Sequence, residues 1–127
     1  MRVRTTARRL TLTTLLLTVA GCGSSMGPTP PPVQTTTVTI TASGASLQNV
    51  QITQGQRVRF INNDGRSHNM TSDPHPDHTD CPELNQVGFL SSGQSRETGN
   101  LVTIRTCGFH DHDNPDAANL KGQIIIR

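Results

Sequence analysis

The chain is 127 residues long and contains three phenylalanines but no tryptophan or tyrosine, so its interior must be built mainly from aliphatic side chains and fits one small domain. Its formal charge of +2 carries no argument for nucleic acid: four of the eleven basic residues are Arg2, Arg4, Arg8 and Arg9, and the other seven stand against nine acids. No nucleic-acid partner is expected.

Behind those arginines comes the uncharged run LTLTTLLLTVAG, residues 10–21, and then Cys22. A positive start, an apolar stretch too short to span a bilayer and small residues before a cut predict an export signal over residues 1–21. The sequence VAGC, residues 19–22, resembles the lipobox of bacterial lipoproteins. That resemblance implies that Cys22 is lipidated, that the lipid holds the chain to a membrane, and that the domain works outside the cytoplasm, on the periplasmic side or at the cell surface. Residues 22–37 are rich in Gly, Ser, Pro and Thr and nearly devoid of apolar side chains, so they read as a semi-extended tether. Residues 38–127 remain as the folded domain.

From residue 36 the signals are those of strands. TTVTIT at 36–41 alternates Val38 and Ile40 with threonine, and NVQIT at 49–53 repeats the pattern. A Gln-Gly turn leads to QRVRFIN, where Val58 and Phe60 alternate with arginines, and NDGRS turns the chain into HNMT. Residues 72–86, SDPHPDHTDCPELNQ, hold three prolines and three aspartates and read as a long ordered loop. β-type segments resume in GFLSSGQSRETGNLVTIRT, and GQIIIR closes the chain as a strongly β-prone strand. Short strands at even spacing predict an all-β fold, an antiparallel Greek-key sandwich or a small barrel.

All five histidines lie between positions 68 and 112, and seven of the nine acids fall in the two loops that carry most of them. A bound cation accounts for such crowding, since imidazole suits copper and zinc and thiolate suits Cu(I) and zinc. No G-x-S-x-G, H-E-x-x-H or phosphate-binding glycine pattern occurs, so an enzyme is not expected.

VQITQGQRVRFINNDGRSHNM, residues 50–70, resembles the strand, glycine turn and strand that lead to the first histidine ligand of a cupredoxin. CGFH followed by a loop and LKGQIII resembles the C-terminal ligand loop of the same family. The resemblance spans residues 36–127. It implies a cupredoxin-like sandwich binding copper through His68, Cys107 and His110, with His112 as a less certain addition, in the His₂Cys site of one-electron carriers. Redox or copper-exchange proteins would be its partners. The position of the family's axial methionine holds Leu120, and the ligand loop is longer than usual. If LVTIRTC is one strand, Cys107 shares a face with Thr103 and Arg105, whereas in the family the cysteine keeps apolar company.

A second reading stays open beside the first. With Cys22 lipidated, Cys81 and Cys107 are the two remaining cysteines in an oxidising compartment and can pair. The protein would then bind or deliver copper through imidazoles alone, without electron transfer. His75 and His78, set among Pro and Asp, read first as solvated loop residues, although in the cystine reading either could join His68, His110 and His112 in an imidazole site. An extended His110-x-His112 places both rings on one face, and Met70 is expected to pack in the core.

Overall fold

The computed structural model describes residues 36–127; the expected export signal, Cys22 and the tether as far as residue 35 lie outside the described residues. Nine strands follow in order: β1 Thr36–Thr41, β2 Gly44–Ala45, β3 Asn49–Ile52, β4 Val58–Asn62, β5 His68–Ser72, β6 Gly88–Leu90, β7 Ser95–Glu97, β8 Thr106–Asp111 and β9 Gly122–Ile126. Single 3-10 turns occur at Leu84–Gln86 and Ala118–Leu120. Thr36 and Thr37, expected at the end of the tether, already belong to β1. Among the described residues no helix is long and apolar enough to cross a membrane.

The strands form two sheets, β2-β1-β4-β7 and β3-β9-β8-β5-β6. The all-β sandwich expected from the sequence is present, with one amendment: each sheet is mixed. β1 runs parallel to β4, and β3 runs parallel to β9. Parallel neighbours require a crossover, and the chain supplies one each time by visiting the opposite sheet in between.

Period-2 alternation fills the space between the sheets. Val38 and Ile40, Val50 and Ile52, Val58 and Phe60, and Ile124 and Ile126 turn inward and are buried in one cluster. Met70 and Leu120 join it, Met70 as expected. Phe60 and Phe109, one from each sheet, meet edge-on with centroids 5.4 Å apart, an arrangement that aromatic quadrupoles favour. β9 passes so near this contact that a Cβ on Gly122 would stand 2.5 Å from the Phe109 ring and 2.5 Å from the Gln48 carbonyl oxygen.

One expected strand is absent. LVTIRT is irregular, and Val102 and Ile104 are 52% and 66% exposed. Leu101 explains the break: its side chain is buried, its N–H donates to the Gln56 carbonyl, and its carbonyl accepts from Gly55 N–H. The backbone is thereby committed to closing one end of the sandwich rather than to a ladder. Because β8 starts only at Thr106, the facing of Cys107 is set by Phe109, with which it shares the core. The parity objection to a core-facing cysteine lapses.

The loop between β5 and β6 is ordered by its own bonds. Asp73 N–H donates to Gly108 O and Asp80 N–H to Asp73 O, while the Asn85 side chain accepts from Ser72 N–H and donates to His78 O. Leu84 and Val87 anchor it in the core, and a disulfide joins Cys81 to Cys107, with Cα atoms 5.7 Å apart.

Candidate metal centre

The register between β5 and β8 decides where every ligand candidate points. Met70 pairs with Asp111, Thr71 with His110 and Ser72 with Phe109. Paired residues share a face of the sheet. His68, Met70 and Asp111 therefore point inward, and Thr71 and His110 point outward.

This geometry corrects the His68, Cys107, His110 set that the resemblance implies. His68 and His110 occupy opposite faces of one sheet. Continuing the register sets Cys107 opposite residue 74, six residues from His68 along β5, or roughly 20 Å at strand rise. Cys107 is also covalently bound to Cys81 and presents no thiolate. Of the two readings left open for this cysteine, the structure contains the cystine. The three residues do not fit a trigonal copper site.

His68 instead sits in a buried polar lock. Its Nδ1 lies 2.9 Å from Asp111 Oδ2 and its Nε2 lies 3.1 Å from Asp64 Oδ2. Burial pushes the Asp111 carboxyl up, but hydrogen bonds from Asn69 N–H, His68, Asn114 and Asp113 N–H outweigh it and hold the group below the ordinary carboxylate range. Asp64 is likewise held low against its burial by His68, Arg66 and Gly65 N–H. Both ring nitrogens of His68 therefore face carboxylate oxygens and are already engaged within the protein.

The imidazoles that do converge are His75, His78, His110 and His112, whose candidate ligand atoms all lie within 4.8 Å of one another. His110 rises from the outer face of β8, and His112 follows two residues later with its N–H donating to Asn69 O. The β5–β6 loop brings His75 and His78 over them. Ring centroids stand 5.5 Å apart for His75 and His110, 5.0 Å for His75 and His112, and 5.2 Å for His78 and His110. His78 has φ of 52°, an uncommon conformation for a residue with a side chain, and its backbone is fixed by N–H donation to Pro74 O and by Asn85. His112 stands in this cluster, and so do His75 and His78, whose setting among Pro and Asp reads first as that of solvated loop residues. The spacings His75-x-x-His78 and His110-x-His112 were visible in the sequence; the Cys81–Cys107 pairing was the signal that would have joined them.

Asp73 was missed altogether. Its Oδ1 accepts from His110 Nδ1 at 2.6 Å, so Nε2, which has Thr71 Oγ1 at 3.5 Å, is the nitrogen this ring could offer a cation in the carboxylate–histidine pairing typical of metal ligands. Gly108 makes the contact possible, because a Cβ there would strike the Asp73 carboxylate. His78 is held below the ordinary imidazole value by burial and then by neighbouring His112, His110 and His75, with Asp77 pulling the other way. Neutral imidazole is the ligating form.

The donor set fits a borderline cation. Four nitrogens at about 2.05 Å from an ion lie at most about 4.1 Å apart, so the cluster closes on one with sub-ångström ring movement. The 3.1 Å separation of His112 Nδ1 and His78 Nε2 already matches the edge of such a polyhedron.

No protein-family model matches this chain, and no curated protein matches it. Solved structures do. A purple cupredoxin from Nitrosopumilus maritimus superposes with a TM-score of 0.59 at 18% identity, over 72% of this chain and 99% of that one. A methionine-to-glutamine variant of amicyanin in its Cu(I) form gives 0.57 at 16% identity, over 76% of this chain and 87% of that one. An oxidised methionine-to-leucine variant of amicyanin gives 0.56 at 17%, over 72% and 81%. The fold is cupredoxin-like.

Asp73→Asn is expected to weaken metal binding about 10–100-fold with little change in melting temperature. His68→Ala should leave metal stoichiometry intact and cost about 3 kcal/mol or more, because two carboxylates lose their buried partner. Titration calorimetry beside thermal melts separates the two, and metal loss in the His68 variant would contradict the assignment. The lowered His78 value has a definite sign: the folded state binds fewer protons than the unfolded, so stability is complete above about pH 6.5 and drains as pH falls toward the folded value. Melting temperatures of the metal-free protein should decline below that pH, and less steeply for His78→Gln; equal slopes would refute the cause given.

Proposed function

We propose that this protein binds one copper ion through His75, His78, His110 and His112 and exchanges it with partner proteins outside the cytoplasm. The observation that carries the reading is the convergence of four imidazoles within 4.8 Å, on the outer face of a cupredoxin-like sandwich. Among divalent first-row ions an imidazole site binds copper most tightly, and the neighbouring amicyanin structure is of a copper form. Bound copper supplies a Lewis-acidic centre able to change oxidation state. The chain's own groups hold it: Asp73 orients His110, and the Cys81–Cys107 bond keeps the loop over β8.

One-electron exchange at the same four imidazoles is a second reading. It is supported by likeness to amicyanin variants solved in oxidised and Cu(I) forms. Titration with Cu(II) should reach one equivalent, show nitrogen hyperfine structure in electron spin resonance, and lack the intense visible charge-transfer band of thiolate–copper bonding. No free thiol should titrate from Cys81 or Cys107 in the denatured, unreduced protein. Tighter zinc than copper binding would overturn the copper assignment, and reversible voltammetry of the loaded protein decides for or against the second reading.

We also infer that Cys22 is lipidated and tethers the domain to a membrane. The Cys81–Cys107 disulfide supports an oxidising, extracytoplasmic setting. Cys22→Ser should shift the chain from the membrane fraction to the soluble fraction of expressing cells, and continued membrane association would refute a lipid anchor there.

A further inference from the structure

The four imidazoles are held unequally. His110 is buried, only 1% exposed, and its Nδ1 is fixed by Asp73. His112 is bound through its backbone N–H to Asn69 O and through its ring to His78. His78 is fixed on both sides of its backbone by Pro74 O and the Asn85 amide. His75 differs from all three. It is exposed, and among the described residues neither its ring nor its backbone makes a hydrogen bond, while its ring centroid stands 5.7, 5.5 and 5.0 Å from those of His78, His110 and His112.

An exposed side chain that no hydrogen bond fixes must lose rotamer freedom on binding an ion, so its bond contributes least to net affinity. Its place on the solvent side is also where another molecule's donor atom first arrives.

Resting on the copper reading above, we propose that His75 is an exchangeable ligand: its coordination position is the entry for an incoming imidazole, supplied by a histidine of the protein that receives or delivers the ion. His78, His110 and His112 form the retained three-nitrogen base. Exchange then proceeds by substitution at one position, one Cu–N bond forming as the bond to His75 breaks, with no change of oxidation state and no net proton transfer. The exposed Asp77 beside this position adds negative charge that favours approach of a cation or a cationic partner surface.

The test compares the full native chain with His75→Ala and His110→Ala, using Cu(II) and free imidazole as probes and a competing chelator to read affinity. His75→Ala is expected to keep one equivalent of Cu(II), to bind on the order of tenfold more weakly, and to release it faster to the chelator. Added imidazole should restore the native spin-resonance spectrum. His110→Ala should lose far more affinity and gain nothing from imidazole. If His75→Ala loses copper as completely as His110→Ala while the native chain binds it, or if imidazole leaves its spectrum unchanged, the exchangeable-ligand assignment is overturned and the copper reading survives. Absence of copper binding by the native chain would overturn both.

Discussion

The pairing of β8 with β5 is the constraint on which the chemistry depends. With Thr71 opposite His110 and Met70 opposite Asp111, one side chain of the His-Asp dipeptide faces outward and the other enters the sandwich to meet His68. A slip of one residue would exchange them, burying His110 among apolar side chains and exposing the carboxylate that His68 requires. The register is protected from both sides of the sheet. Phe109 must meet Phe60 in the core, and Asp73 must lie over Gly108 to reach His110.

The same strand therefore serves two polar clusters with opposite requirements. Inside, Asp64, His68, Asp111 and Asn114 form one connected hydrogen-bond cluster, with Asp64 N–H donating to Asn62 Oδ1 beside it. Such a network is costly if any member is missing and specifies a single arrangement when complete. Outside, four imidazoles stand close together with few partners beyond Asp73, Thr71 and Asn69, and burial, followed by repulsion from the neighbouring rings, holds His78 below the ordinary imidazole value. The inner cluster is closed chemically, whereas the outer one gathers ring nitrogens that a cation could share.

Much of the fold was legible because burial on one face writes itself as alternation. Val38 and Ile40, Val50 and Ile52, Val58 and Phe60, and the final isoleucines all read correctly. LVTIRT misled because its composition is that of a strand while its conformation is fixed by two backbone bonds from Leu101 to a distant turn, which no local pattern records. The site was legible as a concentration of histidines and acids in two loops, but its membership was not. Choosing His75 and His78 over His68 required knowing which face each strand presents and where a fifteen-residue loop returns, and both depend on long-range pairing. His110 and His112 were identifiable because a two-residue spacing on extended chain is itself a statement about facing.

The position of the imidazoles bears on what kind of copper chemistry the fold supports here. An ion at His68 would have to displace two carboxylates from a buried ring and cross the core to reach it. An ion over β8 meets His75 at the surface, so it can enter or leave without opening the sandwich. The Cys81–Cys107 bond reinforces this separation, since it removes the thiolate that would favour Cu(I) and pins the two histidine-bearing segments three residues from His78 on one side and three from His110 on the other. A covalent link at the base of the cluster and an exposed ring at its rim are the two features on which the proposed exchange of an ion rests, because the first keeps the loop in place and the second leaves one position open to another donor.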